Sequence, residues 1–279
     1  AGAEDTGFLL AKTSKAFAGV AITKDNGIES GFAALLREME RARKFGFTES
    51  EYSRAKADYL RYLESAYNER NKVKNDNYVQ EYVRHFIDNE PIPGIETEYA
   101  LMNQIVPNIP LEAINSVLPQ LIKDENIVIN VFGPDKEGMT YPTEQQLLDV
   151  MNKVKAEELT AYVDKVSDEP LMKETPKAGK VVKEEKGPFG STVWTLSNGV
   201  RVVLKPTDFK ADQIMMRAFS PGGTSLFGTK EPLQIEMLNE VSGVGGLGNF
   251  SNVDLEKVLA GKKASVSAFV NGLSEGLSG

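Results

Sequence analysis

Cysteine is absent from all 279 residues, and histidine occurs once, at His85. The first absence excludes disulfides and thiolate metal sites and leaves the redox compartment open. Together they exclude a self-contained catalytic zinc centre, which takes about three protein ligands, usually two or more of them imidazoles or thiolates. With one imidazole and no thiol, no Ser-His-Asp or Cys-His arrangement can be assembled with any specificity. No apolar run approaches the ~20 residues needed to cross a bilayer. The opening AGAEDTGFLLAKTSK has no basic stretch followed by a long apolar core, so no signal peptide is visible. Basic residues are the minority, 32 Lys+Arg against 40 Asp+Glu, for a net charge of -8. That balance argues against nucleic acid, whose phosphates need a basic footprint, and serves solubility.

Ordinary material fills the rest: 41% hydrophobic and 26% charged residues, the composition of a globular chain of about two domains. Two short strands are expected at 8–12 and 17–24, joined at Thr13 and Ser14, with a turn at Asn26-Gly27. Ile28, Phe32, Leu35, Leu36 and Met39 then share one helical stripe, and Gly46 suits a left-handed cap after it. Thr48 and Glu51 form a capping box for a second, long helix, loosened around 71–77. Tyr78, Val79, Tyr82, Val83 and Phe86 make the next apolar stripe. Pro110 suits the first turn of a short helix carrying Ile114, Val117, Leu118 and Leu121. IVINVF (127–132) reads as a strand. Thr143 and Gln146 cap a helix with Leu147, Leu148, Met151 and Val154. This order predicts an α+β domain over residues 1–165, with helices against a mostly antiparallel sheet.

Residues 166–191 read as a charged linker, with Pro170, Pro176 and Pro188 and few large apolar groups. Within it VVKEEKG (181–187) could add as a strand to a sheet edge, though a solvated linker is the favoured reading. A further α+β domain is expected over 192–279. Asn198-Gly199 marks a hairpin with a type I′ turn, and 211–220 a third strand. Pro232 opens a helix with Leu233, Met237, Leu238 and Val241. Ser251 and Asp254 cap another, and 262–271 alternates as a strand. With no visible successor to that strand, this domain is expected to be incomplete, with an unpaired edge that promotes self-association.

Four sites can be weighed. Gly243-Val-Gly245-Gly-Leu-Gly248 matches G-x-G-x-x-G, but it follows a helix and lacks the βαβ setting of a dinucleotide site. A glycine-rich helix connection is the better reading. His85, with Glu81 one turn before it, reads as a surface or half-buried polar group and not a ligand. Glu38, Glu40, Glu49 and Glu51, interleaved with Arg37, Arg41 and Arg43, read as an ion-paired surface. The edge-strand candidate is 181–187.

Several pieces, in order, resemble the pitrilysin/insulinase-like zinc peptidases. They are GFAALLREMERARKFGFTESEYSRAKADYLRYLE (31–64), with Gly46, Thr48, Glu51 and Ala55 in place; NEPIPGIETEY (89–99); TLSNGVRVVLKPTDFKADQI with SPGG; and GLGNFSNVDLEKVLAGK (246–262). The resemblance implies a LuxS/pitrilysin-like architecture: two homologous halves, each of two α+β domains, around a peptide-digesting chamber. This chain would be the second domain, the inter-half linker and the start of the third. The family's inverted H-x-x-E-H motif, with two His ligands, a water-activating Glu and a distal Glu ligand, would sit in a preceding domain, so zinc is expected there and not here. The corresponding helix of the second half, LQIEMLNEV (233–241), has Glu236 and Glu240 but no His. No catalytic, cofactor-binding or metal residue is therefore assigned. The implied partners are the rest of the same polypeptide and peptide substrates, and the implied location is a bacterial periplasm or cell envelope. A catalytically inactive scaffold subunit of the same family is the alternative.

Overall fold

The computed structural model describes residues 2–11, 14–165, 167, 169–227 and 237–279. It is α+β, and antiparallel sheets lie against helices. Contacts divide the chain into two compact units. One comprises residues 1–53 and 107–165, the other 54–106 and 166–279.

In the first unit, strands β1 (Gly2–Ala11) and β2 (Ser14–Val20) pair antiparallel. The hairpin therefore begins and ends earlier than its apolar residues suggest, because backbone pairing extends into Gly2–Thr6. The predicted link residue Thr13 lies outside the described residues. Gly19 meets helix α1 (Ile28–Phe45) so closely that a Cβ there would stand 2.7 Å from Met39 Sδ and 3.3 Å from Leu35 Cδ1. The absent side chain lets strand and helix touch. The turn at Asn26-Gly27 forms, with Asn26 at φ 58° and Gly27 N–H donating to Lys24 O. Gly46 ends α1 at φ 73°, although its ψ of -176° is extended and not left-handed helical.

Helix α2 (Glu49–Asn68) opens on the expected reciprocal cap: Thr48 N–H donates to Glu51 Oε2 at 2.8 Å, and Glu51 N–H to Thr48 Oγ1 at 3.3 Å. After α2 come α3 (Asn75–Asp88), α4 (Ile95–Ile105), α5 (Leu111–Asn115), α6 (Leu118–Leu121) and α7 (Glu144–Lys155). The loosening at 71–77 is a 3₁₀ turn at Arg70–Lys72. Pro110 is the residue before α5 and not its first. Asn115 bridges the chain at Phe47, its Oδ1 accepting from Phe47 N–H at 2.8 Å and its Nδ2 donating to Phe47 O at 3.2 Å. Thr143 and Gln146 form their capping box. Val154 is 1% exposed, and Leu118, Ile122 and Leu147 are buried.

Two expectations fail here. Residues 127–132 form no strand, and Val128 and Phe132 are exposed. A short apolar run carries no period of its own and needs a neighbouring strand to pair with. The stripe on α3 is also not buried: Tyr78, Val79, Tyr82, Val83 and Phe86 all face solvent.

Ion pairs tie α1 to α7 and the segment between. Arg37 binds Glu157, and Asp124 receives both Arg43 (2.6 Å) and Lys155 (2.8 Å). The Lys155 and Arg43 hydrogen bonds lower the Asp124 pKa from 3.8 to about 2. A depressed folded-state pKa contributes stability above pH 3.8 that is lost as pH falls toward 2. Asp124 is 55% exposed, so solvent screening holds the effect to about 1 kcal/mol or less. Thermal melts between pH 2 and 7 check this: Asp124→Asn should flatten the acid limb and leave the rest of the curve close to wild type.

The second unit contains two three-stranded antiparallel sheets. In the first, β3 (Val181–Lys186), β4 (Thr192–Leu196) and β5 (Arg201–Leu204) stand in that order. The segment 181–187 is thus an edge strand, correcting the solvated-linker reading. Its backbone pairs with β4 although all six of its residues are exposed. Composition missed it because the stabilisation is backbone pairing, not burial. The type I′ turn also lies elsewhere. Phe189 (φ 55°, ψ 30°) and Gly190 (φ 71°) occupy its two central positions between β3 and β4, closed by Ser191 N–H to Pro188 O at 3.1 Å. At Ser197-Asn198-Gly199 only Gly199 has positive φ, 84°. Leu196 accepts from Gly199 N–H and donates to Val200 O, the three-residue hairpin with a left-handed glycine. A left-handed Phe costs roughly 1–2 kcal/mol. Phe189→Asn, which tolerates that conformation, should raise the melting temperature by a few degrees, read by calorimetry.

In the other sheet the order is β6 (Arg217–Pro221), β8 (Ser274–Ser278), β7 (Ser267–Val270). The strand expected over 262–271 is β7, and it has a successor, β8, which returns between it and β6. Helices α8 (Leu238–Val244) and α9 (Asn252–Val258) precede them. Ser251 and Asp254 cap α9 reciprocally. Pro232, Leu233 and Glu236, expected in the helix before β7, lie outside the described residues.

Candidate functional site

The inner face of α2 is the most organised polar surface in the second unit. Asp58, Arg61 and Ser65 recur at three- and four-residue intervals, so they share one face of the helix, and Glu69, the residue after its end, continues the row through its N–H to Ser65 O at 3.0 Å. Asp58 Oδ1 accepts Gly261 N–H at 2.6 Å. Ser65 Oγ accepts from Lys263 Nζ at 3.3 Å. Arg61 reaches Asp212 at 3.1 Å. Glu69 Oε1 accepts both Ala211 N–H (2.7 Å) and Asp212 N–H (2.8 Å), and Lys210 Nζ stands 3.3 Å from Oε2. The Asp212 backbone hydrogen bond, aided by Lys210 and Ala211 and opposed by burial, lowers the Glu69 pKa below its ordinary 4.5. This stripe fixes two connectors, 210–212 and 261–263. Nothing in the α2 sequence marks the stripe, because its partners lie far along the chain.

The 210–212 connector leads into β6, and the 261–263 connector into β7. Their sheet has two outer edges of unlike character. On β7, Val270 turns its backbone away from β8, and the Asn239 side chain of α8 meets it: Val270 N–H donates to Asn239 Oδ1 at 2.7 Å, and Asn239 Nδ2 donates to Val270 O at 3.0 Å. At Val270 the carboxamide takes the place of a neighbouring strand. On β6, Met216 and Gly279 exchange backbone hydrogen bonds. Alternation along the strand then points the backbone groups of Arg217 and Phe219 outward. No strand pairs with that edge among the described residues.

The sites proposed from sequence resolve as follows. His85 lies near the C-terminal end of α3, where Nδ1–H donates to Glu90 O at 2.7 Å and its own carbonyl accepts from Asn89 N–H. It serves that helix end. Glu38 pairs with Arg41, and Glu40 with Arg43. Glu40 is nevertheless buried at 6% exposure, so the pair with Arg43 is partly internal and not wholly solvated. Glu49 and Glu51 serve the start of α2. The Gly243–Gly248 run joins α8 to α9 and follows no strand. Gly246 has φ 76°, and a Cβ there would come within 2.1 Å of Phe250 O, so its glycines make a tight helix connection. Glu240 is exposed on α8.

Among the described residues no group of three or more His, Cys, Asp or Glu side chains could hold a metal ion. With one imidazole, already engaged at a helix end, and no thiolate, this donor set does not fit a catalytic zinc. No helix among the described residues is long and apolar enough to cross a membrane.

No family model matches the sequence. A zinc protease PQQL-like protein of Arabidopsis thaliana is 31% identical over 222 residues, covering 79% of this chain and 23% of that protein. The chain belongs to the pitrilysin/insulinase-like zinc protease family. The probable zinc protease PqqL of Escherichia coli (strain K12) is 21% identical over 259 residues, 91% of this chain and 28% of that one. The chain thus spans about a quarter of the length of these relatives. Among solved structures, the periplasmic protease PqqL from Escherichia coli gives a TM-score of 0.42 at 20% identity, covering 92% of this chain and 28% of that one. A mutant of the ferredoxin protease FusC in complex with Arabidopsis ferredoxin gives 0.43 at 18%, covering 94% and 29%.

Proposed function

We propose that this chain is a non-catalytic segment of a zinc-dependent endopeptidase that degrades peptides or small proteins, and that it forms chamber wall and hinge. The observation that carries the reading is a family of zinc proteases represented here by a stretch whose side chains do not fit zinc. The bounds proposed for its parts are a non-catalytic α+β domain at 1–165, the inter-half linker at 166–191 and the start of the next domain at 192–279. The uncovered apolar stripe of α3 supports a role inside something larger. Its partners in this reading are the rest of the same polypeptide, which brings the zinc, and peptide substrates held along exposed strand edges. A periplasmic or cell-envelope location belongs to the same proposal and rests on the family resemblance.

Zinc titration by calorimetry and cleavage of a quenched fluorescent peptide library test it. The purified chain should take up no zinc at micromolar concentration and give no turnover above buffer. Stoichiometric uptake with turnover abolished by a chelator would overturn the reading.

A further inference from the structure

Three asparagines in the sequence are followed by glycine, at 26–27, 198–199 and 271–272, and the fold treats them differently. Asparagine before glycine is chemically labile, because the glycine amide has no Cβ to shield its nitrogen from the carboxamide carbon before it. At Asn26 the carboxamide is held on both sides. Its Nδ2 donates to Gly138 O at 3.2 Å, and its Oδ1 accepts from Thr140 N–H at 2.9 Å and from the Thr140 hydroxyl at 3.3 Å. The Gly27 N–H is itself donated to Lys24 O at 3.0 Å. At Asn198, Oδ1 accepts Val200 N–H at 3.2 Å, and Gly199 N–H donates to Leu196 O at 2.9 Å. In both pairs the carboxamide and the attacking N–H are engaged.

Asn271-Gly272 lies in the turn between β7 and β8 and differs in each of these respects. Among the described residues neither the Asn271 carboxamide nor the Gly272 N–H has a hydrogen-bond partner. Both residues are exposed, and a Cβ on Gly272 would meet nothing within 4 Å. What the turn uses are its carbonyls: Asn271 O, Gly272 O and Leu273 O accept from Thr224, Ser225 and Gly222 N–H, each at 2.9 Å. Asn271 also lines a cavity of about 470 Å³ whose one charged side chain is Arg217. A carboxylate formed at 271 would share that cavity with a cation and with no acidic side chain.

We propose that Asn271 is the deamidation site of the folded chain, and that isoaspartate there loosens the β7–β8 turn. The Gly272 amide nitrogen bonds to Asn271 Cγ and gives up its proton to solvent base. The Cγ–Nδ2 bond breaks, and ammonia leaves with that proton returned through solvent. Water then opens the cyclic imide, its hydroxyl adding to one carbonyl carbon and its proton going to the nitrogen. Opening at Cγ leaves aspartate. Opening at the backbone carbonyl leaves isoaspartate, in which the chain runs through Cγ and gains a methylene. That backbone carbonyl is the one accepting Thr224 N–H, so the second product alone takes a hydrogen bond from the turn. Because β8 is the middle strand of its sheet, the disturbance reaches both ladders. The inference is independent of the zinc and chamber reading.

Trypsin separates the three pairs into peptides 25–37, 187–201 and 264–279. The full chain is incubated in mildly alkaline buffer, folded and in urea, and brief digests are read by mass spectrometry. Hydroxyl in place of amine marks deamidation, and chromatography divides isoaspartate from aspartate. In the folded chain Asn271 should react at least about tenfold faster than Asn26 or Asn198, where two or more hydrogen bonds must break first. In urea the three rates should converge. Gly272→Ala has room for its methyl and no positive φ to strain it; it should remove most of the reaction at 271, with far-UV circular dichroism establishing that it is folded. Asn271→Asp should melt close to wild type, because the carboxamide has no bond to lose. The isolated isoaspartyl chain should melt about 2–4 °C lower, the worth of one hydrogen bond. Asn26 or Asn198 reacting as fast as Asn271 in the folded chain, Asn271 reacting only in urea, or an isoaspartyl chain that melts like wild type would each overturn the proposal.

Discussion

Leu63→Ala should lower the melting temperature of the second unit by roughly 5–15 °C. Leu63 is 0% exposed, in the middle of α2. Truncating a fully buried Leu costs about 2–5 kcal/mol through lost transfer energy and the cavity left behind. For a unit of this size each kcal/mol is about 2–4 °C. The buried apolar set is small here: among the described residues Leu63 and Val154 are the largest side chains with under 2% exposure, and Val154 belongs to the other unit. Few neighbours can close the hole, which places the expected loss toward the upper end. The two units need not melt together, so calorimetry should show one transition moving and the other staying. A single transition displaced by less than 2 °C would contradict this account of the core.

Local signals carried much of the helical part. The Thr48–Glu51, Thr143–Gln146 and Ser251–Asp254 caps form as expected, because a cap is decided within four residues. The α1 stripe and the break at 70–72 are local in the same sense. What failed was non-local. IVINVF has the composition of a strand, but a strand needs a partner, and no residue within the run says whether one is present. VVKEEK has the composition of a linker and became a strand because β4 supplied that partner. The I′ turn went to Phe189-Gly190 because both turns join paired strands, and the pairing decided which one took positive φ at two positions.

The candidate site follows the same division. That one histidine and no cysteine cannot make a zinc centre is legible in composition alone. The polar stripe of α2 and the pairing of Asn239 with Val270 are not, since their partners are up to 203 residues apart. Asn115 at Phe47 and Asn239 at Val270 act alike, each carboxamide satisfying one donor and one acceptor of the backbone, in a helix–helix loop and on a strand edge respectively. In the sequence both are single asparagines on helices, without a distinguishing neighbour.

Glu69→Ala should release the 205–216 connector while leaving the unit folded. Glu69 Oε1 takes two backbone N–H groups and Oε2 attracts Lys210. Removing the carboxylate leaves Ala211 and Asp212 N–H to water and leaves Asp212 held by Arg61 alone. Two charge-assisted hydrogen bonds are lost from a partly exposed loop, so its opening becomes easier. Amide exchange at 211 and 212 should therefore accelerate at least tenfold, while α2 and β8 keep their protection. Glu69→Gln retains an oxygen acceptor and should restore much of it, separating hydrogen bonding from charge. Acid has the same effect as the truncation: the Glu69 pKa is lowered in the fold, so the clamp is fully formed above pH 4.5 and is lost as pH falls through the depressed value. Equal exchange in wild type and Glu69→Ala would show that the connector is held elsewhere.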